Sequence, residues 1–223
     1  MPCPLIVVSG TGTGIGKTHV SEALLLRWSK RARVCGVKPV ETGVAPGTEG
    51  DDARRLRLAS TFHVKHPFGT TFVPPVSPHL AAREAGVTIS IPPIVEAVER
   101  LRGDAEGVLV ELAGGLFSPL GPATVNADLA RALGGSLLLV APDRIGVLHD
   151  VAAATRAARA SGVRIAGALL VAPPESDEST GRNGSELGVV TDVPWLGTVP
   201  RATAAAIADD AAIAATLAAL ALR

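Results

Sequence analysis

Short apolar runs alternate with longer amphipathic stretches along this chain. The apolar runs predict buried strands at residues 5–9, 34–37, 108–112, 136–141, 165–172 and 195–199. The longer stretches predict helices at 17–30, 77–86, 92–102, 146–161 and 203–222. Nearly all-apolar strands that alternate with helices are typical of a parallel sheet covered on both faces. We therefore expect a three-layer α/β/α fold with a mostly parallel central sheet, in a single domain over residues 1–223.

Composition restricts the class of protein further. Hydrophobic residues make up 47% and charged residues 19% of the 223 positions, which indicates a globular chain. The formal net charge is zero, so no overall charge favours binding to nucleic acid or to an anionic membrane. We expect neither as a partner.

The remaining bulk features favour a cytoplasmic protein. Cys3 and Cys35 are expected to be reduced buried thiols, with a disulfide as the weaker alternative. No charged segment precedes a long apolar run at the start, so we expect no signal peptide. The Ala/Leu-rich stretch near the end carries Asp209 and Asp210, and it predicts a packed helix rather than a membrane span.

Polar residues that follow the predicted strands are the candidates for a ligand site. In parallel sheets, ligands bind beyond the carboxyl ends of the strands. The polar segments at those positions are 10–18, 38–43, 111–115, 143–146 and 200–201. The segment 173–185, rich in proline, serine and glycine, predicts a surface loop.

The segment 9–19, Ser-Gly-Thr-Gly-Thr-Gly-Ile-Gly-Lys-Thr-His, predicts a phosphate-binding loop between a strand and a helix. Its glycines allow backbone N–H groups to face phosphate oxygens, and the helix N-terminus adds partial positive charge. Lys17 is expected to reach the β- and γ-phosphates, and the Thr18 hydroxyl to ligate Mg²⁺. The nucleotide-binding residues predicted in this loop are Thr13, Gly14, Ile15, Gly16, Lys17, Thr18 and His19. The fold prediction is therefore P-loop NTPase-like.

The loop departs from the strict pattern at its first glycine. The pattern places glycine six residues before the lysine, where this chain has Thr11, and Gly10 stands one place earlier. The loop also lacks the additional lysine that the partitioning and division-site ATPases carry near Gly12. This form of the loop resembles that of the dethiobiotin synthetases.

Three further segments extend the resemblance to that family. Residues 38–43, Lys-Pro-Val-Glu-Thr-Gly, are similar to its Lys-Pro-Val-x-[Ser/Thr]-Gly motif. Residues 77–79, Ser-Pro-His, and 110–115, Val-Glu-Leu-Ala-Gly-Gly, also match family motifs, in the same order. Motifs carry the resemblance in the first half of the chain. In the second half it rests on the alternation of predicted strands and helices and on Trp-Leu-Gly at 195–197.

The residues and the resemblance together give a candidate catalytic set. Lys38 follows a buried strand, where an ammonium group can neutralise an oxyanion, and the resemblance implies a catalytic role for it alongside Lys17. The alternative is an ordinary solvated lysine. Asp52 and Glu111, with Thr18, are the predicted oxygen ligands of Mg²⁺. Asp51 is the alternative to Asp52 as a metal ligand, and Asp52 is preferred because it aligns with the acidic residue that precedes a helix. The alternative for Glu111 is a buried carboxylate that pairs with an arginine.

The resemblance implies a complete reaction. The chain would bind ATP, CO₂ and 7,8-diaminopelargonate and close a urea ring to form dethiobiotin, as a homodimer with the tail carboxylate of the substrate held near the dimer interface. The resemblance places Thr42 on the amine substrate. The other implied substrate residues are Thr11, Gly115, Val147, Leu148 and His149, and the other implied nucleotide residues are Gly114, Pro200 and Arg201.

Three departures from the family pattern carry separate expectations. Leu112 replaces a usual glycine and is expected to crowd the site. His149 stands where asparagine is usual, which alters the expected contacts to the tail carboxylate. Val171 and Ala172 replace an Asn-Asp pair that reads adenine, so ATP is the default nucleotide but base preference is open. The alternatives are an ATP-dependent amide ligase of the cobyrinate diamide synthase type and a nucleotide-binding regulator without diamine turnover.

Overall fold

The computed structural model describes residues 3–64 and 68–220. The strands are β1 (Leu5–Gly10), β2 (Val34–Val37), β3 (Val40–Thr42), β4 (Thr70–Phe72), β5 (Gly107–Glu111), β6 (Pro119–Gly121), β7 (Thr124–Val125), β8 (Ser136–Pro142), β9 (Ile165–Val171) and β10 (Trp195–Val199). The helices are α1 (Lys17–Trp28), α2 (Asp51–Ala59), α3 (Pro78–Glu84), α4 (Ile91–Asp104), α5 (Asn126–Leu133), α6 (Val147–Ala160), α7 (Asn183–Glu186), α8 (Ala204–Ile207) and α9 (Ala211–Leu220). A 3₁₀ turn covers Leu187–Val189.

The central sheet has six strands in the order β10-β9-β8-β1-β5-β2, and all neighbouring pairs are parallel. The first strand of the chain therefore lies in the interior of the sheet. Because the strands are parallel, the loops after β1, β2, β5, β8 and β10 meet at the same edge. This arrangement confirms the predicted parallel sheet and brings the polar segments to one side of the molecule.

Alternation along β1 shows how the sheet is covered on both faces. Leu5 and Val7 belong to one buried apolar cluster, whereas Ile6 and Val8 belong to another. Side chains of α3, α4, α5 and α6 complete the first cluster, and those of α1, α2, α8 and α9 complete the second. The chain thus has the predicted three-layer α/β/α architecture. Among the described residues, no helix is both long and apolar enough to cross a bilayer.

The six predicted strands agree with the structure to within one residue at each end, and four predicted helices to within two. The helix predicted at 203–222 is wrong, because the structure has two helices, α8 and α9, in that region; its last two predicted residues lie outside the described part of the chain. The Thr203 hydroxyl accepts a hydrogen bond from Ala206 N, and the Asp210 carboxylate accepts one from Ala212 N. These two caps begin two separate helices. Asp209 and Asp210, which we had placed inside a single helix, therefore lie at the break between α8 and α9.

Three features near the strand ends were not predicted. They are the parallel pair β3–β4, the antiparallel pair β6–β7 and helix α5. A helix was expected directly after Asp52, and α2 is that helix. Asp52 is the second residue of α2 rather than the residue before a helix. The segment predicted as a surface loop over 173–185 is confirmed up to Asn183, where the short helix α7 begins. Both cysteines are free thiols, with Cys35 buried and Cys3 partly exposed.

Candidate active site

The glycine-rich loop joins β1 to α1 and bends tightly. Gly14 and Gly16 have φ angles of 71° and 96°, which favour glycine, and Gly16 directly precedes the first residue of α1. A Cβ on Gly10 would collide with the side chain of Ile15 and with the carbonyl oxygen of Val140. The shifted first glycine is therefore explained by packing, because the loop folds back over the end of β1.

Lys17 lies over this loop and is only 6% exposed. Its Nζ donates a hydrogen bond to the carbonyl oxygen of Gly12 at 2.7 Å. Burial, and next the positive charge of Lys38, lower the pKa of Lys17 from 10.5 to about 8. Anionic phosphates beside this ammonium would offset both effects, as expected for a nucleotide-binding lysine.

Lys38 directly follows β2 and lies between two carboxylates, that of Glu111 at the end of β5 and that of Asp52 on α2. Its Nζ is 2.6 Å from Glu111 Oε1 and 2.8 Å from Asp52 Oδ2. Glu111 is fully buried and Lys38 is 5% exposed, so the lysine is not the solvated residue of the alternative interpretation. Burial alone would lower the pKa of Lys38, but the charges of Glu111 and Asp52 outweigh it and raise the pKa.

The Thr18 hydroxyl joins the same two carboxylates. Thr18 Oγ1 is 2.8 Å from Asp52 Oδ1 and also 2.8 Å from Glu111 Oε1. A hydroxyl has one proton and can donate it to only one of them. The other oxygen of Glu111, Oε2, is buried and has no hydrogen-bond partner within residues 3–64 and 68–220. Three oxygen-bearing groups with this surplus of acceptors fit a hard divalent cation such as Mg²⁺.

The geometry separates Asp52 from its rival Asp51. The Asp51 side chain is 90% exposed and lies 3.5 Å from Arg54. The Asp52 carboxylate instead contacts Thr18 and Lys38. Burial is the largest effect and acts to raise its pKa, but the charge of Lys38 and the hydrogen bonds from Lys38 and Thr18 together lower it. The partner of Glu111 is Lys38, so the interpretation of Glu111 as an arginine partner is wrong.

Three cavities adjoin at the glycine loop, and Thr13 lines all of them. The first, of about 470 Å³, contains the charged cluster. The second, of about 670 Å³, lies between the loop and the ends of β8, β9 and β10. The third, of about 550 Å³, lies between the loop, the segment 115–119 and helix α6. The loop therefore stands at the junction of three spaces that can each hold one part of a reacting complex.

Most of the predicted site residues line these cavities. In the first cavity are Thr13, Gly14, Gly16, Lys17, Thr18, His19, Lys38, Thr42, Asp52, Glu111 and Gly114. In the second are Thr13, Gly14, Ile15, Gly16, His19 and Arg201. In the third are Thr11, Thr13, Gly115 and His149. The structure thus brings together residues that are far apart in the sequence.

Three predicted residues lie elsewhere. Val147 is fully buried in the apolar core, and Leu148 packs against that core, so their side chains do not face the third cavity. Pro200 is exposed, and it is the next residue, Arg201, that lines the second cavity. The side chains of these three residues do not line the cavities, so their binding roles stay predictions that only their backbone groups could fulfil.

The departures from the family pattern have different structural outcomes. Leu112 is 1% exposed and packs in the apolar core, so the expected crowding of the site by this side chain is wrong. Val171 and Ala172 do line the second cavity, followed by two prolines, and none of these side chains can form a hydrogen bond. His149 lines the third cavity, at the start of α6.

Two buried polar residues near the cluster were missed by the sequence analysis. Glu41 accepts hydrogen bonds from the backbone N–H groups of Asp52 and Ala53. Asn126, 1% exposed, donates from its side-chain amide to the carbonyl oxygens of Ala113 and Gly115. Both residues hold the backbone of a site segment, and no local pattern in the sequence indicates such long-range contacts.

Comparison with solved structures supports the fold. The septum site-determining protein MinD from Pyrococcus horikoshii, complexed with Mg-ADP, matches 95% of this chain and 86% of its own with a TM-score of 0.56 and 17% identity. A plasmid partition protein from Borrelia burgdorferi matches 97% of this chain and 99% of its own with a TM-score of 0.61 and 10% identity. At such low identity these likenesses establish the P-loop NTPase-like fold alone.

Comparison with protein sequences is more specific. A family model described as an AAA domain matches residues 5–206. The ATP-dependent dethiobiotin synthetase BioD of Ralstonia nicotianae is 41% identical over 202 residues, which are 87% of each chain. The protein of the same name from Anaeromyxobacter sp. (strain K) is 37% identical over 209 residues, covering 88% of this chain and 92% of its own. With its glycine loop, its buried Lys38 cluster and this similarity over most of its length, the chain belongs to the ATP-dependent dethiobiotin synthetase family.

Proposed function

We propose that this chain is a dethiobiotin synthetase that uses ATP and Mg²⁺ to close a urea ring on 7,8-diaminopelargonate. One amine of the diamine takes up CO₂ as a carbamate, and a carbamate oxygen attacks the γ-phosphorus of ATP, releasing ADP. The second amine then attacks the carbonyl carbon of the carbamic-phosphoric anhydride, and phosphate leaves. The products are dethiobiotin, ADP and phosphate.

The observation that carries this proposal is the buried cluster of Lys38, Asp52, Glu111 and Thr18 at the junction of the three cavities. Carbamate and γ-phosphate are both anionic, so their reaction needs positive charge fixed between them. Lys38 supplies such a charge at the end of β2, close to Lys17 on the loop. In a chain that only bound nucleotide, Lys38 would serve only to compensate the buried Glu111, whereas the synthetase reaction also uses its charge, which favours the synthetase over the regulator.

Each group in the cluster has a role in this proposal. The loop N–H groups and Lys17 hold the β- and γ-phosphates, and Lys38 orients the carbamate and neutralises charge that develops on the transferred phosphoryl group. Thr18, Asp52 and Glu111 would hold the Mg²⁺ ion, which supplies electrostatic stabilisation to the phosphate oxygens. Thr42 and Gly114, which line the same cavity, adjoin the amines of the substrate and the phosphates.

The third cavity is the proposed site of the diamine. Thr11 and Gly115 line it beside the loop, and His149 lines it at the start of α6. No side chain caps the first turn of α6, whose N-cap residue is Gly146, so its N–H groups are suited to the tail carboxylate. We propose that a homodimer completes this site, with the second protomer near α6.

A turnover assay tests the proposal directly. Purified protein, Mg²⁺, bicarbonate, ATP and 7,8-diaminopelargonate should give dethiobiotin, detected by its mass. The Lys38→Ala variant should form at least about 100-fold less product, as when one charge-stabilising donor is removed from an active site. Lys30→Ala is the matched control, since the Lys30 side chain is 54% exposed and pairs with Asp209 at the surface.

The opposite outcome is equally informative. If the wild-type protein bound nucleotide tightly, formed no product and showed no stimulation of ATP hydrolysis by the diamine, the synthetase proposal would be wrong. The regulator without turnover would then be the better interpretation.

A further inference from the structure

Helix α2 has no N-terminal cap of its own. Its N-cap residue is Gly50, which has no side chain, although α2 carries Asp52 into the charged cluster. The cap comes from Glu41 on β3. Glu41 Oε1 accepts a hydrogen bond from Asp52 N at 2.9 Å, and Oε2 accepts one from Ala53 N at 3.0 Å. A carboxylate from another element thus satisfies two of the N–H groups that a helix leaves free at its start.

The fit between Glu41 and Gly50 is specific. Glu41 is 8% exposed, and a Cβ added to Gly50 would collide with its carboxylate carbon and both of its oxygens. The φ angle of Gly50 is −64°, which any residue can adopt. The absence of a side chain at position 50 is therefore required by the space that the Glu41 carboxylate occupies and not by the backbone conformation.

This cap acts on the same residue that contacts the cluster. Asp52 gives its backbone N–H to Glu41, while its two carboxylate oxygens lie at Thr18 Oγ1 and Lys38 Nζ. Lys38 and Glu41 belong to one short segment that follows β2. Glu41 thus ties the start of α2 to the segment that carries Lys38, and so fixes the position of the Asp52 carboxylate.

We propose that Glu41 is a positioning residue for the divalent cation, acting through Asp52; this inference rests on the proposed function of the cluster as a Mg²⁺ site. Both backbone hydrogen bonds, and the position of the carboxylate at the positive end of the α2 dipole, favour its charged form, although burial is the larger effect and raises the pKa of Glu41. Glu41 also lines the first cavity, but both of its oxygens accept hydrogen bonds from the start of α2, so we assign it a positioning role and not a catalytic one.

The test compares ADP binding by calorimetry with Mg²⁺ and with EDTA. The ratio of the two dissociation constants measures how much the metal adds to nucleotide affinity. In Glu41→Gln the amide keeps one acceptor oxygen and places an NH₂ group against the second N–H. We expect the ratio to fall about tenfold in this variant, with metal-free ADP affinity within about twofold of the wild type. Glu49→Gln, which removes a charge from a half-exposed neighbour of α2, should leave the ratio unchanged.

A second variant tests the same contact from the other side. Gly50→Ala should displace the Glu41 carboxylate and lower the ratio to a similar extent. Gly103→Ala in α4 is its control, because a Cβ there meets no atom within 4 Å and its φ is not positive. Thermal melting of all four variants establishes that each is folded at the temperature of the titration.

The outcomes separate the inference from the proposed function. An unchanged ratio in Glu41→Gln and Gly50→Ala would overturn the inference, as would an equal loss of ADP affinity with and without metal, which indicates general damage. A wild-type ratio near one would overturn the metal site and the inference together. If the ratio falls as expected while the wild-type protein forms no dethiobiotin, the positioning role stands and the proposed reaction is wrong.

Discussion

At the scale of single residues, Lys38 balances the fully buried carboxylate of Glu111 and the partly exposed one of Asp52. In Lys38→Met, Glu111 would remain fully buried without its cation. Removing one partner of a buried ion pair typically costs about 3–5 kcal/mol, because the remaining charge is left uncompensated. We expect the free energy of unfolding, measured by urea denaturation without Mg²⁺ at neutral pH, to fall by about that amount.

The control for this prediction is a lysine paired at the surface. Lys30→Met removes the contact to Asp209, whose side chain is 70% exposed, and should leave the unfolding free energy nearly unchanged. Mg²⁺ should restore part of the loss in Lys38→Met, since a cation near Glu111 replaces the missing charge. Equal stabilities for the two variants would contradict the assignment of Lys38 as the partner of the buried carboxylate.

Lys17 predicts a pH dependence of nucleotide binding. Burial and the charge of Lys38 bring its pKa to about 8, and bound phosphates favour its protonated form. Binding of metal-free ADP should therefore take up a proton above about pH 8, and affinity should fall towards tenfold per pH unit there. Calorimetry in buffers of different ionisation enthalpy measures both the affinity and the proton uptake.

The sign of the effect on folding is opposite to that on binding. The folded pKa lies below the unfolded value of 10.5, so the ligand-free protein gains stability from this group as pH rises from about 8 to 10.5. Lys17→Met should bind ADP more weakly, with an affinity that stays flat through the same range. A wild-type affinity that does not change between about pH 7 and pH 10 would contradict the lowered pKa of Lys17.

At the scale of elements, the strands were predictable and the connections between them were not. Buried parallel strands such as Val34–Val37 are short apolar runs, and burial on both faces fixes both their composition and their ends. Helix α2 has a largely polar sequence, Asp-Asp-Ala-Arg-Arg-Leu-Arg-Leu-Ala, with only Leu56 and Ala59 buried. The family resemblance placed a helix just after Asp52, but apolar periodicity did not indicate it, and its start at Asp51 is held by Glu41, ten residues earlier.

The same distinction applies to the site. Lys17 and Thr18 could be predicted because they belong to a recognisable motif at the start of a helix, and Lys38 because it directly follows a strand within a second motif. Asn126 could not, because its contacts to Ala113 and Gly115 arise only when α5 packs beside the end of β5. The orientation of Val147 into the core likewise depends on the rotation of α6 about its axis, which the motif does not specify.

The end of β9 predicts weak selection of the nucleotide base. Val171, Ala172 and the two prolines after them line the second cavity with apolar groups, and strong discrimination between bases needs side-chain hydrogen bonds. We expect kcat/KM for ATP, CTP and GTP to lie within about tenfold of one another in the dethiobiotin assay. A preference of a thousandfold or more for ATP would mean that Arg144, Arg201, Thr203 or backbone groups read the base.

At the scale of the whole molecule, the parallel topology creates the site. Parallel strands bring the ends of β1, β2 and β5 to one edge, and this places Thr18, Lys38 and Glu111 within hydrogen-bond distance although up to 93 residues separate them. The structural neighbours share the fold at 10–17% identity. The architecture therefore provides the meeting point of the segments, and the residues of this chain at that edge determine the chemistry.

The proposed homodimer is the last expectation at this scale. Ile145 is 72% exposed and immediately precedes the first turn of α6, where we place the tail carboxylate of the diamine. A second protomer near α6 would cover this apolar side chain, and a charge there would be buried without a partner. Ile145→Asp should therefore shift the protein from dimer to monomer, measured by light scattering after size-exclusion chromatography.

The effect on activity should fall on the diamine, because Ile145 leads into the first turn of α6, where we place the tail carboxylate, although its neighbour Arg144 lines the nucleotide cavity. In Ile145→Asp, KM for the diamine should rise at least about tenfold, the loss expected when a charged substrate group loses its partners. ADP affinity should stay within about twofold. Leu58→Asp is the matched control, since Leu58 is 60% exposed on α2, which packs on the opposite face of the sheet from α6. Two outcomes would contradict the homodimer: both variants remain dimers with unchanged KM for the diamine, or the wild type is a fully active monomer. In either case the diamine site would be complete within one chain, and α6 alone would bind the tail carboxylate.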